Sequence, residues 1–264
     1  MPDALVTLTT DFGEESPYVA ALKGAILSVN SRARILDLSH CLGAQDLRAA
    51  SFFLASTIPY FPSGAIHVVV VDPGVGSERA LLYVEVGGHR LLVPDNGCWT
   101  ELARRLSAQP TARRLEESSY WRRPVSATFH GRDILAPVAG WLSLNLDPER
   151  LGPAVTQWVE LCLPSPLLQP GCLKGEVIFV DGFGNLITNI PGEAFAEVAV
   201  RNPRVTCGET LIPVVARAYA DGPPGSLMAL VSSRGTLEIA VAFGSAAAYL
   251  RAGVGERVEV TAQR

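Results

Sequence analysis

The sequence lacks an excess of positive charge. It contains 22 lysines and arginines against 26 aspartates and glutamates, for a formal net charge of −4. Nucleic-acid-binding domains carry clustered basic residues, so we expect no nucleic-acid partner. Long hydrophobic runs are also missing, because each apolar segment is far shorter than the roughly 20 residues needed to span a bilayer. No basic leader precedes the first strand-like run at Leu5. We therefore expect a cytoplasmic protein without a membrane segment.

Cysteine is sparse and does not occur in CxxC pairs. An odd number of cysteines without close spacing argues against both a disulfide framework and a zinc site, and favours reduced thiols that pack in the core. The five are Cys41, Cys98, Cys162, Cys172 and Cys207. We accordingly expect no bound metal.

Two nucleotide-binding signatures are incomplete. The tripeptide Asp11-Phe12-Gly13 matches the magnesium-binding motif of protein kinases, but the chain has no glycine-rich phosphate loop, VAIK-type strand or HRD catalytic loop around it. The glycines Gly74 and Gly76 lack the lysine and the spacing of a phosphate-binding P-loop. Neither a kinase nor a P-loop nucleotide hydrolase is therefore expected.

In the first half, short apolar runs alternate with helical patterns. This alternation predicts a βαβαβ unit, hence an α/β fold with a mostly parallel sheet packed as an α/β sandwich. A strand hairpin and two further helices follow. The predicted strands are 5–10, 35–38, 66–71, 81–86 and 90–93, and the predicted helices are 18–29, 47–57, 100–106 and 133–142.

A proline- and glycine-rich stretch separates this half from a strand-rich second half. Pro164, Pro166, Pro170 and Gly171 follow in quick succession, which is typical of a linker. The runs 176–180, 186–190, 227–231, 237–242 and 257–261, separated by turn residues, predict a small C-terminal antiparallel β-barrel or sandwich domain. We predict an N-terminal domain over 1–163, a linker over 164–173 and a C-terminal domain over 174–264.

Acidic side chains directly follow two of the predicted parallel strands. Asp72 begins the stiff loop Asp72–Arg79, whose distal end carries an arginine, and Asp11 follows the first strand. Ligands of open α/β sheets bind beyond the carboxyl ends of the strands, where a carboxylate is able to hold a ribose diol. Asp11 also fits a role near the start of the helix that follows Ser16. His130 lies just before a helix, where it fits either an acid–base or a structural role, whereas Asp133 fits an N-cap.

Other polar groups lie at predicted turns. Asn96 is part of a turn sequence and is only secondarily a candidate for lining a site. Phe183 lies between Asp181 and Asn185, where turn formation does not explain an aromatic ring but stacking on a flat ligand does. Arg234, at another predicted hairpin, suits a ligand carboxylate or solvent.

Six motifs in this order resemble those of one family. They are TTDFG, VDPGVGSER, PDNG, FHGRD, DGFGNLITNI and SSRGTLEIA, and they spread over nearly the whole chain. The chain resembles the S-adenosyl-L-methionine (SAM) hydrolases, also called SAM hydroxide adenosyltransferases, which are relatives of the SAM-dependent fluorinase and chlorinase. The resemblance implies an α/β N-terminal domain, a C-terminal β-barrel and a homotrimer that binds SAM between neighbouring subunits.

The resemblance also implies a role for each candidate residue. Asp72, Arg79 and His130 match the catalytic triad of the water-using enzymes, and Asp11 matches the ribose-binding acid. Phe183 and Asn185 match the adenine site, and Ser233 and Arg234 match the site for the methionine end of SAM. Phe12, Asn96 and Asp181 complete the expected substrate-binding set.

The expected reaction is attack of an activated water on the ribose C5′ of SAM, giving adenosine and L-methionine without a metal or cofactor. The chain departs from the family pattern at Ser16, where an aspartate is usual, at Ala242, where no asparagine follows the LEIA strand, and at Gln45, which replaces a fluorinase tryptophan. Three alternatives remain open: a halide-using adenosyltransferase, a SAM or adenosine sensor without turnover, and a nucleoside-binding α/β hydrolase of another kind.

Overall fold

The computed structural model describes residues 5–199 and 203–262. The chain divides into a first unit that ends at Leu161 and a second unit that begins at Cys162. Within the described residues, no helix is both long and apolar enough to cross a membrane. All five cysteines are free thiols.

The first unit is built on a seven-stranded sheet in the order β2-β1-β3-β5-β4-β6-β7. β1 pairs in parallel with β2 and β3, and β3 pairs in parallel with β5, whereas β4, β6 and β7 form an antiparallel edge. The strands are β1 Leu5–Thr10, β2 Arg34–Ser39, β3 Ile66–Val70, β4 Leu81–Val86, β5 His89–Pro94, β6 Thr111–Arg114 and β7 Ala154–Val155. The helices are α1 Pro17–Val29, α2 Leu47–Thr57, α3 Thr100–Leu106 and α4 Ala136–Ser143.

Both faces of this sheet are covered. Alternate residues of a strand point to opposite faces, so Val68 joins the core that includes α1 and α4, while Val69 joins the core that includes α2 and α3. A strand buried on both faces reads as a nearly continuous apolar run, as at Ile66–Val70, where His67 is the one polar residue. The predicted α/β fold is confirmed, with the antiparallel edge added to its parallel centre.

The helix predicted over 133–142 is split in two. A π-helical turn, Gly131–Leu135, precedes α4. Pro137 is the reason, because proline has no N–H to donate to the carbonyl of Asp133, four residues earlier. The Arg122 N–H donates to that carbonyl instead, at 2.8 Å. The wide turn therefore allows the segment before α4 to pack against the chain at Arg122.

The second unit is a nine-stranded, nearly closed sheet in the order β12-β11-β16-β9-β10-β15-β14-β13, with β8 paired to β9. Its pairs are antiparallel except for β13 with β14, and β12 at one edge contacts β14 near the other. The strands are β8 Leu167–Gln169, β9 Cys172–Val180, β10 Leu186–Pro191, β11 Pro203–Cys207, β12 Thr210–Ile212, β13 Val214–Val215, β14 Leu227–Val231, β15 Thr236–Val241 and β16 Arg257–Ala262; the helices are α5 Gly192–Ala199 and α6 Ala246–Leu250. The predicted barrel-like antiparallel fold is confirmed.

The segment predicted as a linker contains strand residues. β8 lies inside it and pairs with the start of β9, with Gln169 opposite Cys172. Pro170 and Gly171 form the turn between them, because proline suits the second position of a tight turn and Gly171 adopts the positive φ of 75° that the third position needs. Proline and glycine here close a hairpin rather than interrupt regular structure.

Candidate active site

Asp72 and Arg79 form a close ion pair at the carboxyl end of β3. Arg79 Nε donates to Asp72 Oδ1 at 2.6 Å, and Arg79 Nη2 donates to Asp72 Oδ2. The side chains are largely buried, with 10% of Arg79 and 7% of Asp72 exposed. The planar guanidinium therefore holds both carboxylate oxygens in one orientation.

His130 lies against the adjoining edge of the same guanidinium. Its Nδ1 is 3.3 Å from Arg79 Nη1 and 3.2 Å from Arg79 Nη2. Arginine only donates hydrogen bonds, so Nδ1 accepts and the neutral ring carries its proton on Nε2. Burial and then the charge of Arg79 hold the pKa of His130 below its usual value of 6.5. The sequence-predicted residues Asp72, Arg79 and His130 thus come together, with the arginine in the centre and a neutral imidazole.

Gly76 brings the Asp72 loop close to the segment before His130. It has a φ of 85°, and a Cβ there would lie 2.8 Å from the Ala127 carbonyl oxygen. A larger residue would clash with this backbone. The position therefore requires glycine, because the loop touches the segment before His130 here. This contact helps to bring Arg79 to His130, which lies 51 residues further along the chain.

Asn96 anchors the strand end that carries Asp72. Its Nδ2 donates to the Val71 carbonyl at 2.9 Å, and its Oδ1 accepts from the Cys98 N–H at 3.2 Å. The backbone thus uses part of the hydrogen-bonding capacity of this amide, which the sequence predicts to bind substrate. Behind it, burial and then the charge of Asp72 raise the pKa of the Cys98 thiol to about 12, so this thiol stays protonated and unreactive.

Asp133 supports the His130 turn in a way that the sequence analysis missed. It is fully buried and accepts from Arg132 Nε at 2.7 Å, from Arg122 Nη1 at 3.2 Å and from the Ser126 N–H at 2.9 Å. Burial alone raises the pKa of Asp133, but the hydrogen bonds from Arg132 and Ser126 outweigh it and hold the pKa below its usual value. The N-cap interpretation is wrong, because the N-cap position of the π turn is His130. In the sequence, the signal for this role is the presence of two arginines, Arg122 and Arg132, within eleven residues of Asp133.

Asp11 lies at the same edge of the sheet as Asp72. β1 and β3 are neighbouring parallel strands in which Thr10 is opposite Val70, so the residues that follow them emerge side by side. Asp11 Oδ2 accepts from the Gln45 N–H at 2.7 Å, while Oδ1 accepts no hydrogen bond from the residues that the structure describes. Gln45 has a φ of 62° and contacts Asp11 through its backbone.

Phe12 joins an aromatic cluster. Its ring centroid lies 5.6 Å from that of Tyr18 and 5.7 Å from that of Phe129, all in edge-to-face contact. Phe129 directly precedes His130, so the cluster ties the Asp11 loop to the triad. Ser16 caps α1, since its side chain accepts from the Tyr18 N–H.

In the second unit, Asp181 shapes the loop that carries Phe183 and Asn185. Its Oδ1 accepts from the backbone N–H groups of Phe183 and Asn185, and its Oδ2 accepts from Asn185 Nδ2, each at 2.9 Å. Asn185 is buried, whereas the ring of Phe183 is 81% exposed. The carboxylate of Asp181 therefore stabilises the loop by accepting hydrogen bonds from it, and the ring of Phe183 on this loop is exposed.

Ser233 and Arg234 lie in the turn between β14 and β15. Ser233 is exposed and Arg234 is partly buried. The flanking Ser232 Oγ and Thr236 Oγ1 are buried without a hydrogen-bond partner in the part of the chain that the structure describes. This turn thus groups an arginine with unused hydroxyl groups.

Family models match both units. The model of the SAM hydroxide adenosyltransferase N-terminal domain matches residues 6–152, and that of the C-terminal domain matches residues 175–259. The chain belongs to the SAM hydroxide adenosyltransferase family. The resemblance in the sequence motifs is thereby confirmed.

Individual proteins agree with the family assignment. An (R)-S-adenosyl-L-methionine hydrolase of Salinispora arenicola is 38% identical over 97% of each chain, and one of Thermus thermophilus is 39% identical over 91% of this chain and 93% of its own. A fluorinase of an Actinoplanes species is 21% identical over 89% of this chain and 90% of its own. A solved structure of an uncharacterized conserved protein from Thermotoga maritima has a TM-score of 0.91 and 34% identity, covering 97% of this chain and 99% of that one. The hydrolases are thus more similar to this chain than the fluorinase is.

Proposed function

We propose that the protein hydrolyses SAM to adenosine and L-methionine, with water as the nucleophile at the ribose C5′. The observation that carries the proposal is the row of Asp72, Arg79 and neutral His130, in which the acid and the arginine are largely buried and the imidazole is partly exposed. The similar hydrolases act on (R)-S-adenosyl-L-methionine by name, and this descriptor specifies the configuration at the sulfonium. We extend that preference to this chain.

The reaction balances without a cofactor. The water oxygen forms a bond to C5′ as the C5′–S bond breaks. The electron pair of the broken C5′–S bond goes to sulfur, which leaves as the neutral thioether of methionine. One proton of the water is released. Because the positively charged sulfonium is a good leaving group, the protein needs only to position one water in line and to accept its proton. We propose that neither a metal nor a cofactor takes part.

Hydrogen-bond capacity assigns the proton acceptor. His130 Nδ1 is directed at Arg79, so its free Nε2 carries a proton and donates. An ionised carboxylate accepts at about four lone-pair positions, and Arg79 uses only two at Asp72. Asp72 therefore accepts the proton from the attacking water, while His130 orients that water by donating to its oxygen.

The charge of the triad suits a cationic substrate. Arg79 alone would repel a sulfonium, but Asp72 neutralises it and His130 is uncharged at neutral pH. A protonated His130 would leave the row with one net positive charge and weaken substrate binding. The lowered pKa of His130 thus supports the assignment.

The other predicted residues complete the proposed substrate site. Asp11 holds the ribose diol through its unused Oδ1, Phe183 and Asn185 contact adenine, and Ser233 and Arg234 hold the methionine end. Phe12 and Asn96 position these groups through the contacts described above. We further propose a homotrimer in which the first unit of one subunit and the second unit of its neighbour share a substrate molecule.

The decisive experiment is a product assay with purified protein and SAM containing both sulfonium configurations. We expect equal amounts of adenosine and methionine by chromatography with mass detection, and depletion of the (R) form. Asp72→Asn keeps the shape but removes the negative charge, so turnover should fall by at least about 100-fold. Variant turnover equal to that of the wild type would refute the role of Asp72.

Added chloride, bromide and fluoride separate the remaining alternatives. Formation of 5′-halo-5′-deoxyadenosine would indicate a halide-using adenosyltransferase. Intact SAM that nonetheless raises the melting temperature of the protein would indicate a sensor. Either result would overturn the hydrolase proposal.

A further inference from the structure

Two phenylalanine rings of the second unit face solvent almost completely. Phe183 is 81% exposed and Phe243 is 90% exposed. A single exposed apolar side chain is ordinary, but two large rings at one end of a sheet indicate a contact surface. Phe183 already belongs to the proposed adenine site, whereas the role of Phe243 is unassigned.

The sheet topology places both rings at the same end. β10 and β15 are adjacent antiparallel strands in which Leu186 is opposite Ile239. Phe183 precedes the start of β10, and Phe243 follows the end of β15. The two loops also touch, because the Ala247 N–H donates to the Gly184 carbonyl at 2.9 Å and a Cβ at Gly184 would overlap the Ser245 side chain.

The backbone at Phe243 is one that glycine prefers. Phe243 has a φ of 56°, in the left-handed region that a residue with a Cβ seldom adopts. It occupies the third position of a tight turn in which the Gly244 N–H donates to the Val241 carbonyl at 3.0 Å. Glycine would form this turn with less strain. Local turn preference therefore does not account for a phenylalanine at this position.

We infer that Phe243 forms a second aromatic contact, together with Phe183, for the adenine ring of the substrate. The inference rests on the proposed function, which directs adenine to the loop of Phe183 and Asn185. An aromatic ring binds the face of a base but makes no hydrogen bond to its edge, so the amide of Asn185 remains the group that reads that edge. Phe243 contributes affinity through stacking on the face of the base.

The test is Phe243→Gly, which removes the ring and relieves the strained turn. Calorimetric titration with adenosine should show a dissociation constant about tenfold higher than that of the wild type. The melting temperature without ligand should stay unchanged or rise, because glycine suits the backbone. With SAM, KM should rise about tenfold while kcat changes by less than about threefold, since the ring contacts the base rather than the reacting carbon.

Two matched variants accompany it. Phe243→Trp keeps an aromatic face and should retain adenosine affinity within about threefold. Tyr249→Ala removes another exposed ring of the same unit, on α6, and should leave the adenosine dissociation constant within about twofold of the wild type. Light scattering after gel filtration should give Phe243→Gly the same mass as the wild type.

Three results would overturn the inference. They are an unchanged adenosine dissociation constant in Phe243→Gly, a wild type that does not bind adenosine, and a lower oligomeric mass for the variant, which would assign the ring to a subunit contact. Adenosine binding is measured without turnover, so a protein that binds adenosine through Phe243 but leaves SAM intact would refute only the proposed hydrolysis.

Discussion

At the scale of single residues, Arg79 determines the state of both its neighbours. It occupies the two oxygens of Asp72 in fixed geometry, and its charge helps to keep His130 neutral. Lysine could not replace it, because a single ammonium group cannot contact both carboxylate oxygens and the imidazole in this planar arrangement. In the proposed mechanism, Arg79 is therefore an organising group, and the reacting water contacts Asp72 and His130.

Arg79→Gln should change the pH dependence of the reaction. Loss of the positive charge lets Asp72 raise the pKa of His130 towards or above 6.5, whereas in the wild type this pKa lies below 6.5. Wild-type kcat/KM should therefore persist as the pH falls through 6.5, while that of the variant should already decline. We also expect a loss of about 100-fold at pH 8 from misplacement of Asp72.

The measurement is kcat/KM between pH 5 and 8.5, together with a nuclear magnetic resonance titration of the His130 ring. Arg113→Gln, which removes an ion pair to the exposed Glu149, is the matched control and should behave like the wild type. An acid limb at the same pH in Arg79→Gln and the wild type would contradict this account of His130.

At the scale of elements, buried polar groups connect the central strands. His67 on β3 is 1% exposed; its Nδ1 is 2.7 Å from Thr7 Oγ1 on β1, and its Nε2 is 3.4 Å from His89 Nδ1 on β5. Burial, and then the charge of His89, lowers the pKa of His67 to about 3. Protonation of this imidazole would therefore destabilise the sheet that presents Asp11 and Asp72.

His67 should make the free energy of unfolding depend on pH. Between pH 6.5 and about 3, the unfolded state binds a proton at His67 that the folded state does not, so stability falls as the pH decreases. One such proton contributes a slope of about 1.4 kcal/mol per pH unit. Above pH 6.5 the contribution is constant.

Urea unfolding of the wild type and His67→Gln at pH 4.5, 5.5, 6.5 and 7.5 checks this prediction. Glutamine retains hydrogen-bonding capacity towards Thr7 but does not titrate. The slope of stability against pH should be smaller in the variant by about 1 kcal/mol per unit below pH 6.5. Parallel curves for the two proteins would show that His67 does not control the acid response.

At the scale of the whole molecule, the two units carry complementary parts of the proposed substrate site. The first holds the triad and Asp11, and the second holds Phe183, Asn185 and Arg234. Each unit has its own buried core, so each positions its share of the polar groups independently. Joining the halves from different subunits then requires an oligomer.

The proposed trimer predicts complementation between two inactive variants. Asp72→Asn damages the first unit, and Arg234→Ala damages the second. In a mixed trimer, a site is intact when its first unit comes from an Arg234→Ala chain and its second unit comes from an Asp72→Asn chain. Co-expression should restore about a quarter of wild-type activity, as random assembly of shared sites requires. The mass in solution should be three times the 28.1 kDa chain mass.

Each variant alone should be inactive and should retain the trimer mass. Inactive mixed oligomers would indicate that each site lies within one chain. A monomer mass for the wild type would contradict the shared site altogether.

Much of this arrangement follows from the order of residues alone. The largely apolar run Ile66–Val71 predicts a central parallel strand, and Asp72 directly after this run predicts a polar group at its carboxyl end. Six ordered motifs predicted the family. These features are local or repeated along the chain, so reading the sequence is sufficient to find them.

Tertiary structure decided how the polar groups are used. Only packing brings Arg79 to His130, 51 residues further along the chain, and lowers the pKa of the His130 imidazole. Only packing turns Asp133 from an expected helix cap into a buried acid with two arginine partners, and leaves Phe243 exposed in a backbone suited to glycine. Burial and hydrogen-bond partners belong to neighbours in space, and these neighbours are set by the fold of the whole chain rather than by adjacent residues.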